Sequence, residues 1–207
     1  MKLYYTKGAC SLAPRIIINE LQIPCNYESV DLAQKKTQTG ADFYTINAKG
    51  SVPTLVTDDQ HVLTEGAVIL QYLADRHQAE SLLPSVNDWQ RYKVLEWLNF
   101  IATELHKGIG AFFNPAITDA MKQSIYLPVL DKRFDLLNQQ LAKTDYLVGT
   151  HFTLPDAYLF VIGTWAVHFK LGLSKWPVLQ QYLQKLAIRP SITKSLEEEQ
   201  IKITTIA

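Results

Sequence analysis

"KLYYTKGACSLAPRIIINELQIPCNYESVDL" (residues 2–32) holds the reading that decides the fold. "KLYYT" (2–6) has the composition of a strand. "SLAPRIIINEL" (11–21) reads as a helix, with Ser11 at its start and Pro14 in its first turn, where a missing N–H costs little. "NYESVDL" (26–32) alternates polar and apolar side chains, the two-residue period of a second strand. A strand–helix–strand run of this kind predicts that the two strands pair in parallel.

The same reading extends outward. "ADFYTI" (41–46) predicts a short helical piece, and "TLVT" (54–57) with "HVLT" (61–64) a hairpin turning at Asp58–Asp59. "TEGAVILQYLADRH" (64–77) predicts a helix capped by Thr64. The order β-α-β-α-β-β-α is the pattern of a thioredoxin-like sheet. "ESLLPSVND" (80–88) reads as a linker, and strand signals stop there. Val94, Trp97, Leu98, Ile101, Leu105 and Ile109 recur at helical spacing over 89–113. Further helical patterns cover 118–142, 154–171, 176–187 and 190–199. "LPDAYLFVIGTWAVHF" (154–169) is apolar nearly all round, which predicts a buried central helix. Thr153 and Asp156 ahead of it fit a capping box, a structural role for Asp156. The fold class expected is α+β: a thioredoxin-like domain over 1–80 and an all-α domain over 87–207.

The 207 residues are 47% hydrophobic and 19% charged, enough to bury a substantial core. Lys+Arg and Asp+Glu both number 20, a balance that gives no electrostatic case for a nucleic-acid partner. The start "MKLYYTK" lacks the apolar stretch of a signal peptide, and no run of about 18 apolar residues predicts a membrane span. The two cysteines, Cys10 and Cys25, are expected reduced, in a cytoplasmic protein.

Four features carry candidate chemistry. Cys10 stands where strand gives way to helix. An unperturbed thiol has a pKa of about 8.5, and lowering it two units takes about 2.7 kcal/mol. A helix N-terminus supplies about 0.3–1 kcal/mol and one hydrogen bond to the anion about 1.5–3 kcal/mol. The helix start, Ser11 and Tyr5 are at hand to do this, for Cys10 itself or for the sulfur of a bound small thiol. A small buried residue in a tight turn is the other reading of Cys10. "GSVPTL" (50–55) places Val52-Pro53 before a strand, as a cis turn that offers the Val52 backbone to an extended peptide, or as an ordinary trans proline. Glu65 and Gly66 open a helix, matching an α-ammonium and an α-carboxylate, or forming a routine acidic first turn. Asn99, Thr103, His106 and Gly110, flanked by Glu104 and Lys107, fall on one helical face, as a ligand-facing stripe or a solvated one.

Together these residues resemble one family. "MKLYYTKGACSLAPRI", "NAKGSVPTL", "LTEGAVILQYLAD", "RYKVLEWLNFIATELHKG" and "FTLPDAYLF" are similar, end to end, to cytosolic glutathione S-transferases of the bacterial beta class. The resemblance implies the glutathione S-transferase fold, a homodimer, detoxification, and glutathione as co-substrate, with no metal. It implies Cys10, Ser11, Tyr5 and His106 as catalytic residues. Val52 before cis-Pro53 would pair with the tripeptide backbone. Glu65 and Gly66 would hold the γ-glutamyl end, and Lys35 would lie toward the glycyl carboxylate. Asn99, Thr103, Glu104 and His106 would line the site from the dimer interface, with His106 and Lys107 near the sulfur. The activity implied is conjugation of the thiol to a small hydrophobic electrophile, with Phe112, Phe113 and Trp165 as lining or packing residues. A monothiol reductase acting through a Cys10 mixed disulfide, and a non-catalytic binder, are the alternatives.

Overall fold

The computed structural model describes residues 1–202. Residues 203–207, the end of the expected helical domain, lie outside the described residues. By contacts the described residues form two units, Met1–Glu80 with Pro190–Lys202, and Ser81–Arg189.

The first unit contains β1 (Lys2–Tyr5), α1 (Leu12–Glu20), β2 (Asn26–Asp31), β3 (Lys36–Thr37), a 3₁₀ turn (Phe43–Thr45), β4 (Thr54–Val56), β5 (Val62–Thr64) and α2 (Gly66–Arg76). The strands form one sheet in the order β3-β2-β1-β4-β5. β1 and β2 pair in parallel, with Tyr4 opposite Glu28, and the other three pairings are antiparallel. The expected hairpin is β4–β5, with Leu55 opposite Leu63. β3 escaped the sequence reading because two residues are too few to show a period. Alternation along β1 sends Leu3 and Tyr4 to opposite faces, and both are buried. On the Tyr4 face, Tyr4, Val30, Val52 and Phe43 form a cluster. α1 contributes buried Ile16, Ile17 and Ile18, and α2 contributes buried Ile69, Leu70 and Leu73. Burial of each such side chain is worth about 1.5–3 kcal/mol.

One boundary is corrected. Thr64 does not cap α2: it ends β5, and Glu65 takes the cap position with a positive φ of 69° and no side-chain cap bond. Thr64 is held in the ladder opposite Thr54, and so is not available as a cap.

α9 (Pro190–Glu198) was expected with the helical domain, but by contact it groups with the first unit. Polar pairs explain its seat on α1. Asn19 Nδ2 donates to Ser195 Oγ at 2.9 Å, and Arg15 reaches Glu198 Oε2 at 3.2 Å and Glu199 Oε1 at 3.0 Å. Burial pushes the Glu199 carboxyl up, against the pull of the Gly8 N–H and Arg15.

The second unit contains α3 (Trp89–Phe100), a π turn (Ile101–Leu105), α4 (His106–Gly110), a 3₁₀ turn (Ala111–Phe113), α5 (Asp119–Met121), a second π turn (Lys122–Tyr126), α6 (Leu127–Leu141), α7 (Leu154–His168), a 3₁₀ turn (Leu173–Lys175) and α8 (Pro177–Ala187). α7 is the expected buried helix, with twelve of its fifteen residues buried. Its start is tied by Asp156, whose carboxylate accepts from the Thr153 N–H at 2.7 Å, Thr153 Oγ1 at 2.8 Å, the Leu147 N–H at 2.9 Å and the Tyr182 hydroxyl. Asp156 is thus the structural residue the sequence reading expected. Gly163 lets α8 approach, because a Cβ there would stand 2.7 Å from Leu183 Cδ2. Among the described residues no helix is long and apolar enough to cross a membrane.

Candidate active site

Cys10 lies in the turn between β1 and α1. Its side chain is nearly buried, and Sγ donates to the Val52 carbonyl at 3.4 Å. Val52–Pro53 is the one cis peptide bond among the described residues. Among those residues none accepts from the Val52 N–H. The structure therefore brings Cys10, Val52 and Pro53 together.

Ser11 is fully buried, and the partners of its hydroxyl among the described residues are both on Thr6. Its Oγ accepts from the Thr6 N–H at 3.2 Å and donates to the Thr6 carbonyl at 3.3 Å. Thr6 Oγ1 in turn donates to the Val30 carbonyl at 2.7 Å. Ser11 thus fastens the turn that carries Cys10. Tyr5 lies on the face of β1 opposite Tyr4. The Arg15 guanidinium stacks 4.4 Å from its ring centroid, and Tyr27 meets it edge-on at 6.4 Å. Its ring contacts are with Arg15 and Tyr27.

On the far side of the cis turn, Lys35 Nζ donates to the Gly50 carbonyl at 2.8 Å. Gly50 has a φ of 58°, and a Cβ there would sit 2.7 Å from Tyr44 Cε1, so glycine is required. Buried Asn47 braces the turn through the Ser51 carbonyl at 2.8 Å and Thr54 Oγ1 at 2.9 Å. Glu65 is exposed beside Gly66, the first residue of α2. Its Oε1 is held by Lys49 Nζ at 2.6 Å, and the same ammonium donates to Thr64 Oγ1 at 3.0 Å.

In the second unit, His106 Nδ1 is 2.6 Å from the hydroxyl of buried Tyr158. Its ring packs edge-on to Trp165, centroids 5.0 Å apart. Phe113 extends this aromatic group, meeting Trp165 at 5.2 Å, Phe169 at 4.6 Å and His168 at 6.0 Å. Phe112 is buried against Phe169 and Tyr126. Glu104 is gripped by Arg133, from Nε at 2.9 Å and from Nη2 at 2.6 Å. Asn99, Thr103 and Lys107 are exposed, and Thr103 Oγ1 bonds back to the Asn99 carbonyl at 2.9 Å. The π turn over 101–105 changes the helical period within the expected stripe. Asn99 and Thr103 are consequently exposed while His106 is half-buried.

Sequence reasoning missed Lys49, Tyr158, Arg133 and Thr6, each of which holds a candidate residue. Tyr158 alone left a signal: a tyrosine within an apolar helix needs a partner for its hydroxyl. Among the described residues no three His, Cys, Asp or Glu side chains group as a metal site.

The glutathione S-transferase N-terminal domain family matches residues 8–76, and the glutathione S-transferase C-terminal domain family matches residues 100–190. A glutathione S-transferase of Escherichia coli O157:H7, GstA, is 41% identical over 202 residues, covering 98% of this chain and 100% of its own. The chain belongs to the glutathione S-transferases. A sphingomonad glutathione S-transferase complexed with glutathione superposes with a TM-score of 0.92 at 36% identity, covering 98% of this chain and 100% of its own. A bacterial beta class glutathione S-transferase of Sphingomonas chungbukensis does so with a TM-score of 0.92 at 35% identity and the same coverage, 98% and 100%. The expected glutathione S-transferase fold is the fold of this transferase, a mixed five-stranded sheet unit and a helical unit.

Proposed function

We propose that the chain is a beta-class glutathione S-transferase, a cytoplasmic homodimer in detoxification. It binds glutathione on the first unit and transfers the thiol to a small hydrophobic electrophile. The observation that carries this reading is Cys10 Sγ on the carbonyl of Val52, beside cis-Pro53. Likeness to named transferases along the whole chain favours transfer over the monothiol route and over a non-catalytic binder.

The residues present fit the tripeptide. The Val52 N–H is a donor without a protein partner among the described residues, suited to a peptide backbone. Exposed Glu65 suits an ammonium, and the start of α2 at Gly66 suits a carboxylate. Lys35 stands on the other side of the cis turn, suited to the second carboxylate. Glutathione supplies the sulfur nucleophile. The chain's part is to position it and to favour its ionised form. Cys10 and the N-terminus of α1 lend a thiol hydrogen and a positive dipole end. Ser11 and Tyr5 act at one remove, Ser11 by fastening the turn and Tyr5 by stacking Arg15.

Within the helical unit, exposed Phe113 and His168, backed by buried Trp165, offer an aromatic surface for the electrophile, and Tyr158 fixes His106 beside Trp165. Exposed Trp89 and Tyr92 on α3 and Leu136 on α6 are the apolar side chains proposed to meet a second copy. Asn99, Thr103 and Lys107 are free to serve a partner's ligand, with Glu104 oriented by Arg133. The test is conjugation of a chlorodinitrobenzene-type electrophile at saturating glutathione. A rate above the uncatalysed reaction is expected. No such rate across several electrophiles would overturn the reading.

A further inference from the structure

Lys49 belongs to none of the roles above, yet it occupies one of their oxygens. Its backbone N–H is fixed by Asn47 Oδ1 at 3.0 Å. Its ammonium sits between Glu65 Oε1 at 2.6 Å and Thr64 Oγ1 at 3.0 Å. The Lys49 and Glu65 side chains are 55% and 64% exposed, so the root is anchored while the head is free to leave. We propose that Lys49 is an internal competitor for the ligand's α-ammonium at Glu65, and so sets the affinity for the γ-glutamyl end. This rests on the glutathione reading of the site.

The two cations are the same chemical group. Two ammonium ions on one carboxylate repel each other, so binding of the ligand's ammonium to Glu65 disfavours the Lys49 contact. The apparent affinity is then lowered by the fraction of molecules in which Lys49 holds Glu65. Because exposed ion pairs are weak, that reduction is about two- to fivefold, small enough for a ligand to overcome. Lys35 does not compete in this way, because its ammonium lies on the Gly50 carbonyl.

Titration calorimetry of the full chain decides the matter, using glutathione and glutaryl-cysteinyl-glycine, the analogue lacking only the α-amine. Lys49→Met is expected to tighten glutathione about two- to fivefold and to leave the analogue unchanged. Lys49→Arg is expected to behave as the unsubstituted protein. Weaker glutathione binding by Lys49→Met would overturn the proposal, because Lys49 would then be holding the ligand's carboxylate. Unchanged glutathione binding, or equal tightening of both ligands, would also overturn it. If the unsubstituted protein gave no heat with glutathione, the functional reading itself would fail, a result distinct from all of these.

Discussion

The two helices of the first unit that start at candidate site residues do so in opposite ways. At α1, Cys10 and Ser11 are buried, and Ser11 is satisfied by both backbone groups of Thr6. At α2, Glu65 is exposed, holds a φ of 69°, and uses its side chain on Lys49 rather than as a cap. The left-handed region costs an ordinary residue about 1–2 kcal/mol. Strain of that kind persists where something other than stability needs the residue. The start of α1 is thus built into the fold, while the start of α2 is kept exposed at some expense to it.

The largest expected effect tests how firmly the α1 end is built. Glu199 is buried, with Oε2 accepting from the Gly8 N–H at 2.9 Å and Oε1 from Arg15 Nε at 3.0 Å. Glu199→Ala strips a buried cation of one partner, which costs about 3–5 kcal/mol. Urea unfolding measures it, and a loss under about 1 kcal/mol would mean that the turn ahead of Cys10 does not depend on α9.

The α2 end should respond with opposite signs in binding and stability. Glu65→Gly removes a charged partner worth about 1.5–3 kcal/mol, so glutathione binding should weaken about tenfold to a hundredfold. The same change relieves the positive φ and should stabilise the fold by about 1 kcal/mol. Calorimetry and urea midpoints read the two arms. A loss of stability together with affinity would erase the contrast between the helix starts.

Ser11→Ala comes next. It leaves the Thr6 N–H without its partner, at a cost of about 1–3 kcal/mol in stability. Turnover at saturating glutathione should change less than about tenfold, because the Ser11 hydroxyl is spent on Thr6. A larger fall in turnover with unchanged stability would place Ser11 on the reacting sulfur after all.

Much of this was legible in the sequence because it rests on local pattern. The strand–helix–strand start, the β4–β5 hairpin and the buried α7 follow from the spacing of apolar residues and from turn chemistry. Cys10, Val52 and Pro53 were picked out singly by position and by resemblance, and the antiparallel pairing of β1 with β4, Tyr4 opposite Thr54, is what brings the turn after β1 beside the turn before β4. What could not be read depends on partners far away in sequence. Lys49 on Glu65, Arg133 on Glu104 and Tyr158 on His106 are separated by 16, 29 and 52 positions. α9 has a sound helical period, and only its polar pairs with Asn19 and Arg15 assign it to the first unit. The π turn at 101–105 left no periodic trace, because one added residue per turn looks like ordinary scatter in a short window.

The smallest effect compares two carboxylates that each carry a lysine. Glu65 has Lys49 at 2.6 Å in the open, whereas Glu28 has Lys2 at 2.9 Å with its side chain largely covered. The Thr39 hydroxyl, 2.6 Å from Glu28, is the main cause that holds its carboxyl at about 2 rather than 4.5, and Lys2 adds to it. A depressed folded-state value stabilises the protein above the ordinary one and is lost as pH falls toward the depressed one. The window here runs from 4.5 down to about 2. In the first pH unit below the ordinary value the expected loss is about 1 kcal/mol. Glu28→Gln should remove that part of the acid slope in urea titrations. Glu65→Gln should leave the slope nearly as it was, since an exposed pair contributes little. If the two substitutions flattened the slope equally, burial would not be what separates these carboxylates, and the contrast between a built-in end and an open end would lose its electrostatic half.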